Sequence, residues 1–561
     1  MKKRFSTSLC LVCLITIIGT ASCNDRGELP NDLMNTTEGY YKGKFESPSI
    51  ISFKGVPYAK PPIKDLRFEN PVKPDSFSGT RQANQIGAVC PQFDPNQLLP
   101  TMIGEEDCLS LNIFRPSAEG EYPIMVWIHG GGFTKGDSMH SLHGAENLSW
   151  YGQPYRLVDR GIVFISINYR LGVFGFLASG DPLEEDTANG NYGLSDQQQA
   201  LKWIRNNANS FDGDPNNITI FGESSGGLSV LTHFSMPSSD GLFNRGIIQS
   251  GIYDYSQSSN LDDAIAFGKI ISEELGCSQL SDQKKCLKSK SKEEILTIQL
   301  QLNYSPYPVA GINTLEINPL KISDTDFFNS ADLIVGTNSE EGNFFTPINE
   351  SIYGKSENSE LGYSLALKKQ LLLDNSTVEI MKTVYPLTTH DNKTHKALSK
   401  ITTDAFYACP TLKLSRILQK KNKVYFYTFD DRNAPYAHIL GTWPLYATIP
   451  LPDKFNIGAS HTLEISYVLG DKLDQLGFSK GQILLANKMT DYWSTFAKFG
   501  NPNSLHNTFN WNSFDQKKIL SLGDTITNIN VTEYSINHNC DNFWLFNQKF
   551  AKYFEASINL N

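Results

Sequence analysis

The stretch Ile218–Val230, ITIFGESSGGLSV, decides the fold. A β-branched run is followed by Gly-x-Ser-x-Gly, with Ser224 at its centre, and then by residues at helical spacing. Small residues at Gly222 and Gly226 allow a strand to turn sharply into a helix, with the serine strained and exposed at the turn. The pattern predicts that Ser224 is a nucleophile above a sheet. The alternative is a tight turn with an incidental serine.

Further short apolar runs have the composition of strands buried on both faces. They are IMVWI (124–128), IVFISI (162–167), LIVG (333–336) and VYFYTF (424–429). Between them, DQQQALKWIRNNANSF (196–211) carries apolar residues along one helix face. Alternating strands and helices predict one α/β domain over residues 24–561, with a large, mostly parallel sheet flanked by helices. The polar stretch from about 255 to 310 is expected to be an excursion from the sheet.

Charge and the N-terminus narrow the class of protein. The net charge is −10, from 49 basic and 59 acidic residues that are scattered along the chain, which argues against a nucleic-acid partner. Residues 1–23 have a basic start, an apolar middle and a small-residue end, and we interpret them as a signal peptide. No later apolar run approaches about 18 residues, so we expect no membrane span.

Six cysteines follow the signal peptide, and an even number in an exported chain indicates disulfides. Fifteen pairings are formally possible. Spacing nominates Cys90–Cys108, Cys277–Cys286 and Cys409–Cys540. Glycosylation acceptors of the type Asn-x-Ser/Thr stand at Asn35, Asn147, Asn217, Asn303, Asn349, Asn375, Asn392 and Asn530. We expect most of them to be modified, least of all Asn217, in a protein that is secreted or lies in the lumen of the secretory pathway or its vesicles.

A serine nucleophile needs donors for the oxyanion, an acid and a base. The segment IMVWIHGGGF places Gly130, Gly131 and Gly132 after a buried strand, as in the HGGG-type loops whose N–H groups face such a serine. The amide of Ser225 would supply a further donor. A phosphate-binding loop is the alternative, but its motif is absent. Order alone does not choose the base among the histidines that follow Ser224: His233, His390, His395, His438, His461, His506 and His538.

At this point the sequence resembles the type-B carboxylesterases, the cholinesterase-like branch of the α/β-hydrolases. The resemblance covers nearly all of the chain after the signal peptide. Its motifs are FKGVPYAKPPIKDLRF (53–68), EDCLSLNIF (106–114), WIHGGGF (127–133), NYRLGVFGFL (168–177), FDGDPNNITIFGESSGG (211–227), GTNSEEGNFF (336–345), SHTLEISYVLG (460–470) and YWSTFAKFGNPN (492–503).

The resemblance implies roles for individual residues. It makes Ser224 the nucleophile, Glu341 the acid and His461 the base, with Glu340 as a neighbouring rival for the acid. It implies an oxyanion hole from Gly131, Gly132 and Ser225. It also supports the three disulfides and requires no metal or organic cofactor. Positions that match supporting residues are Glu223, Ser250 and Glu464, which steady the histidine and bound water, and Arg67 with Glu106, a buried ion pair.

Several positions depart from the family pattern. The segment between Cys90 and Cys108 contains no tryptophan, which disfavours choline esters as substrates. Phe344 and Phe345 are expected either to line a pocket or simply to pack. Departures expected to have only local effects are Lys64 for a glycine, Gln198 for an arginine and Ser225 for an alanine.

The sequence therefore predicts a secreted, glycosylated serine carboxylesterase that hydrolyses small-molecule esters through an acyl-enzyme. The alternative from another class is a non-catalytic adhesion or recognition protein on the same fold. A third possibility keeps the chemistry but changes the bond to a thioester or an amide. The oligomeric state has no signal in the sequence.

Overall fold

The computed structural model of the protein describes residues 31–94, 99–139, 153–178, 189–252, 260–278, 283–312, 315–321, 329–436, 457–504 and 509–545. Residues 1–23, Asn147, His438 and His506 lie outside these ranges.

Eleven strands of the described residues form one central sheet. Its seven middle strands are parallel to one another, and antiparallel strands close both edges. The mostly parallel sheet expected from the sequence is therefore confirmed. In spatial order the strands are Thr527–Asn530, Lys518–Leu522, Val424–Phe429, Asp332–Asn338, Arg245–Gln249, Gly213–Glu223, Tyr122–Ile128, Val163–Ile167, Ser110–Pro116, Ile50–Pro57 and Lys44–Ser47.

Smaller strands lie outside this sheet. Leu33–Asn35, Tyr40–Lys42 and Thr80–Gln82 form a three-stranded sheet, and Gln92–Phe93 pairs with Met102–Ile103.

Each middle strand is buried on both faces. In Gly213–Glu223, Ile220 packs into one hydrophobic core and its neighbour Phe221 into a second core. Successive side chains of a strand point to opposite faces, so the two cores are the two sides of the sheet. This explains why the sequence shows continuous apolar runs here without polar alternation.

Helices cover the sheet, and among the described residues none is long and apolar enough to cross a membrane. The α-helices are Tyr155–Val158, Gly172–Phe176, Tyr192–Asn207, Ser225–Ser235, Leu261–Glu274, Gln283–Ser289, Lys292–Gln301, Gly342–Tyr353, Glu360–Gln370, Asn375–Val384, Thr394–Thr402, Cys409–Leu418, Ile465–Leu469, Lys480–Phe499 and Val531–Asn537. Two π-helices span Thr403–Ala408 and Cys540–Trp544, and short 3-10 helices span Lys64–Leu66, Ala208–Phe211, Pro237–Ser239, Leu387–Thr389 and Phe514–Gln516.

The excursion expected near residues 255–310 contributes no strand to the central sheet in its described part. It contains the helices Leu261–Glu274, Gln283–Ser289 and Lys292–Gln301. Their apolar side chains join a third core together with Phe68 and Phe174. The excursion is thus packed against the body of the fold through its own small core.

The three cysteine pairs nominated from spacing are all disulfide-bonded: Cys90–Cys108, Cys277–Cys286 and Cys409–Cys540. The structure also pairs Arg67 with Glu106, with 2.7 Å between Nε and Oε2. The same guanidinium donates to the carbonyl oxygen of Lys290 at 2.5 Å. This ion pair therefore ties the excursion to the N-terminal part of the chain.

Two of the departures from the family pattern have visible structural effects. Lys64 has a φ of 54°, in the left-handed region that favours glycine, so the side chain is accommodated in a strained backbone. Gln198 donates to the hydroxyl oxygens of Ser238 at 2.7 Å and Ser239 at 2.8 Å. The Gln198 side chain, which stands where the family has arginine, is thus hydrogen-bonded to Ser238 and Ser239.

The disulfides provide a test of how the chain is held together. They close loops of very different length, because the sequence separation is 131 residues for Cys409–Cys540 and 9 for Cys277–Cys286. Loop-closure entropy predicts that replacing both cysteines with alanine lowers the free energy of unfolding by about 5 kcal/mol for the long loop and about 3 kcal/mol for the short one. Urea unfolding of the two double variants measures the difference. Equal losses would contradict the entropic account.

Candidate active site

The backbone at Ser224 has the strained turn that the sequence predicts. Ser224 lies between strand Gly213–Glu223 and helix Ser225–Ser235, with φ 55° and ψ −126°. A Cβ on Gly222 would lie 2.5 Å from the Ile128 carbonyl oxygen, and one on Gly226 would overlap the same atom. Only glycine fits at these two positions, so the crowded backbone holds the serine in its unfavourable conformation.

Glu341 and His461, far apart in sequence, meet in a short hydrogen bond. The imidazole Nδ1 lies 2.6 Å from Glu341 Oε2, and both side chains are buried. Glu341 Oε1 accepts from the Ser250 hydroxyl at 2.6 Å and from the Asn338 N–H at 2.8 Å. These donors fix the carboxylate, which in turn fixes the orientation of the ring and leaves Nε2 facing away from Glu341.

Glu340, the rival for the acid, faces elsewhere. Its carboxylate accepts from the Ala459 N–H at 3.3 Å and lies 4.0 Å from Arg432. Among the other candidate histidines, His538 also contacts a carboxylate, with 2.6 Å between Nδ1 and Asp404 Oδ1. That carboxylate is shared with Lys400 Nζ at 2.8 Å. Of these two carboxylate–histidine contacts, Glu341–His461 is the one that joins the acid and the base expected from the sequence.

The surroundings of His461 Nε2 are more crowded than the sequence suggested. Nε2 lies 3.1 Å from Glu223 Oε1, and in the described part of the chain no hydrogen bond joins Ser224 Oγ to His461. Ser224 directly follows Glu223, so the turn that carries the serine also carries the carboxylate beside Nε2. Catalytic hydrogen bonds often become short only when substrate binds.

Three buried carboxyl groups surround the imidazole. Burial alone would lower the pKa of His461, but the charges of Glu223 and Glu341 outweigh it and raise this pKa to about 9. Burial raises the pKa of Glu223 well above its ordinary value. Burial and the charge of Glu341 raise the pKa of Glu464 to about 7. The neighbouring carboxylates therefore stabilise a positive charge on His461, whereas burial favours the protonated form of the carboxyl groups, so the four groups titrate as one coupled cluster.

Sequence reasoning missed Asn338 and Gln249, which link the members of this cluster. Asn338 Nδ2 donates to Glu464 Oε2 at 2.7 Å and to the Ser460 carbonyl oxygen at 2.6 Å. Gln249 Nε2 donates to Glu464 Oε1 at 3.2 Å, and its own oxygen accepts from Trp493 Nε1 at 3.0 Å. Both residues lie at the carboxyl ends of parallel strands, where α/β proteins place their sites, and this position was the available signal.

Aromatic rings cover the imidazole. The ring centroids of Phe344, Phe345 and Tyr407 lie 5.7, 5.2 and 5.1 Å from that of His461. The two phenylalanines thus both pack and line the site, which answers the alternative left open by the sequence. Tyr407 comes from the π-helix Thr403–Ala408 and had no signal in the sequence.

The glycine loop approaches the turn closely. A Cβ on Gly130 would lie 3.2 Å from the Ser224 Cβ, so the absence of a side chain allows this approach. Gly131 and Gly132 have φ of 108° and 63°, a conformation that other residues rarely adopt. The N–H of Ser225 belongs to the first turn of a helix, where N–H groups have no partner within the helix. The glycine loop and the first turn of this helix therefore lie on either side of Ser224.

Comparisons with known proteins identify the family of this chain. The model of the carboxylesterase family matches residues 32–544. The acylcarnitine hydrolase of Mus musculus is 30% identical over 509 residues, covering 84% of this chain and 84% of that protein. The cocaine esterase of Homo sapiens is 30% identical over 545 residues, covering 92% and 91%. The para-nitrobenzyl esterase of Bacillus subtilis (strain 168) is 29% identical over 526 residues, covering 89% and 96%.

Solved structures give the same result for the fold. A structure of PNB esterase superimposes with a TM-score of 0.72 and 27% identity, covering 90% of this chain and 99% of the other. A second structure of PNB esterase gives a TM-score of 0.70. The fold is therefore the α/β-hydrolase fold.

The charge cluster predicts a measurable pH dependence. A base must be neutral to accept a proton, so kcat/KM rises with pH through the pKa of His461. Because the Glu223 charge raises that pKa, Glu223→Gln should move the acid limb to lower pH by about one unit or more. The measurement is the pH profile of ester hydrolysis for both proteins.

The control for this experiment is Glu340→Gln, since Glu340 is the half-buried glutamate next to Glu341 and forms its ion pair with Arg432 rather than with His461. We expect its acid limb to coincide with that of the unaltered protein. An unshifted limb in Glu223→Gln would mean that Glu223 carries no charge while His461 titrates.

Proposed function

Since the chain belongs to the carboxylesterase family and is a carboxylic ester hydrolase, we propose that it works through an acyl-enzyme on Ser224. The observation that carries the proposal is the 2.6 Å hydrogen bond between Glu341 and His461, whose Nε2 faces Glu223, the residue directly before Ser224. The strained backbone of Ser224 beside the glycine loop supports it.

In the proposed mechanism Ser224 Oγ attacks the ester carbonyl carbon while His461 Nε2 accepts the hydroxyl proton. Glu341 holds the Nδ1–H and stabilises the imidazolium. The amides of Gly131, Gly132 and Ser225 donate to the carbonyl oxygen as it becomes negative. The imidazolium then protonates the leaving alcohol. Water, deprotonated by the same base, releases the acid and restores Ser224.

Glu223, Ser250 and Glu464 are proposed to support the base. Ser250 donates to Glu341. The side-chain amide of Asn338 donates both to Glu464 and to the carbonyl oxygen of Ser460, the residue before His461. Glu223, 3.1 Å from Nε2, stabilises the positive ring that forms during acylation. A buried charge that is formed next to fixed carboxylates needs no solvent reorganisation at that moment.

The alternative, a non-catalytic adhesion protein on this fold, has little support. Such a protein has no need for a strained serine, a carboxylate-bound histidine or a glycine loop, and strain of this kind is commonly retained at functional sites. Among esters, those of choline are the least favoured, because the segment between Cys90 and Cys108 contains no tryptophan.

We further propose that residues 1–23 are a signal peptide and that residues 24–561 form one secreted or lumenal domain. The three disulfides support this, because such bonds persist in oxidising compartments. The short basic and apolar start of the sequence supports it independently.

Replacing Ser224 tests whether it is the nucleophile. Ser224→Ala should reduce hydrolysis of p-nitrophenyl acetate by about 10⁴-fold or more, because no other group can form the acyl-enzyme. Ser235→Ala is a matched control, since Ser235 is buried in the helix after Ser224 and donates only to the Leu231 carbonyl within that helix. It should retain the rate of the unaltered protein.

A fluorophosphonate probe tests the same assignment directly. We expect one adduct, on the peptide that contains Ser224, and none in Ser224→Ala. Equal hydrolysis by the unaltered protein and Ser224→Ala, or an adduct on another peptide, would overturn the proposed mechanism.

The accessibility of each acceptor asparagine predicts which sites carry glycans. We propose that the exposed acceptors are modified, which are Asn35, Asn303, Asn375, Asn392 and Asn530. Asn217 should remain bare, because its Oδ1 accepts from Arg245 and its Nδ2 donates to the Lys498 carbonyl oxygen at 3.3 Å. Enzymatic deglycosylation in ¹⁸O water followed by peptide mass spectrometry identifies the modified sites. A glycan on Asn217 would contradict this structure around it.

A further inference from the structure

The hydroxyl of Ser225 connects the turn at Ser224 with the glycine loop. Ser225 begins helix Ser225–Ser235, and its side chain is fully buried. The backbone N–H of Phe133 donates to Ser225 Oγ at 3.3 Å. Phe133 directly follows the loop glycines, so this hydrogen bond holds the end of the loop against the residue next to the nucleophile.

Tyr169 holds the other end of the loop. Its phenol donates to the carbonyl oxygen of His129, the residue before the glycines, at 2.9 Å. The rings of Tyr169 and His129 are also stacked, with 4.4 Å between their centroids. Two separate hydrogen bonds thus hold the loop, one from the Phe133 N–H to Ser225 Oγ and one from the Tyr169 phenol to the His129 carbonyl oxygen.

Together these contacts hold both ends of the segment 129–133. Ser225, in the helix that follows Ser224, holds the Phe133 end, and Tyr169 holds the His129 end. The segment needs such support, because its glycines have few conformational restrictions of their own. Oxyanion donors accelerate a reaction only when they are already in place as the charge develops.

We propose that the Ser225 hydroxyl is a positioning group for the oxyanion hole, in addition to the donor role of the Ser225 amide. The inference rests on the proposed function, since it concerns how the glycine amides are aimed at the oxyanion. It replaces the sequence-based expectation that serine in place of alanine has little effect. In this chain the side chain and the backbone of one residue serve the same oxyanion.

Loss of the hydroxyl has two consequences. The Phe133 N–H, on a fully buried residue, loses its acceptor, and buried donors without partners are unfavourable. The loop then shifts to find another acceptor, and the amides of Gly131 and Gly132 shift with it. The hydrogen bonds to the oxyanion lengthen, whereas substrate binding before reaction depends little on them.

The test is Ser225→Ala, the smallest change that removes the hydroxyl. We expect kcat for p-nitrophenyl acetate to fall on the order of tenfold, less than for removal of a whole oxyanion donor. KM should change by less than about twofold, because the lost interaction acts in the transition state. Affinity for a trifluoromethyl ketone, whose tetrahedral adduct places an oxyanion in the hole, should fall in parallel with kcat.

Two further variants separate positioning from simple stability. Ser235→Ala removes a buried hydroxyl from the same helix and should leave kcat and inhibitor affinity unchanged. Tyr169→Phe removes the donor to His129 and should lower kcat with the same pattern. Because Ser225 and Tyr169 hold opposite ends of one short loop, the double variant should lose less than the product of the two single losses.

The outcomes are distinct. A Ser225→Ala protein with unaltered kcat and inhibitor affinity would overturn the inference, even if its melting temperature fell. Independent, multiplicative losses in the double variant would contradict the joint role of Ser225 and Tyr169 in holding this loop. If the unaltered protein reacted with neither ester nor fluorophosphonate, the proposed function itself would fail, which is a different result from either of these.

Discussion

The close approach of backbone to backbone around the Ile128 carbonyl oxygen is the constraint on which the site depends. Strand Tyr122–Ile128 ends there, and the turn at Ser224 passes so near that Gly222 and Gly226 have no room for a side chain. The glycine loop directly follows strand Tyr122–Ile128, and helix Ser225–Ser235 directly follows the turn. One crowded point thus fixes Ser224 and the glycine loop relative to each other.

Charge is the second organising force. A histidine in a buried site would ordinarily be neutral, but here three carboxyl groups lie around the ring of His461. The burial of Glu341 and Glu464 is compensated by amides and a hydroxyl at the ends of parallel strands, from Asn338, Gln249 and Ser250. The sheet therefore supplies both the strained serine and the polar partners that make a buried acid cluster tolerable.

Much of this could be predicted from the sequence, for identifiable reasons. The strand VYFYTF appears at its expected bounds, Val424–Phe429, because a strand buried on both faces is a continuous apolar run. Glu341 could be separated from Glu340 only through the family motif, since adjacent glutamates look alike in composition. Edge strands such as Lys44–Ser47, KFES, were missed because they are polar and form only through pairing with a neighbour. The contact between Glu223 and His461 was not foreseen in detail because side-chain geometry has no signature in spacing.

The buried carboxyl groups also link the assembly of this site to acidity. An unfolded glutamate releases its proton near pH 4.5, whereas Glu464 in the folded chain has a pKa of about 7. The pKa of His461 is likewise raised, from 6.5 to about 9 in the folded chain. In both cases the native chain binds more protons than the unfolded one, so the free energy of unfolding falls as pH rises through these intervals. Folding near neutral pH therefore takes up hydrogen ions from the solvent. The stability of the folded chain thus depends on the pH of the compartment in which it folds.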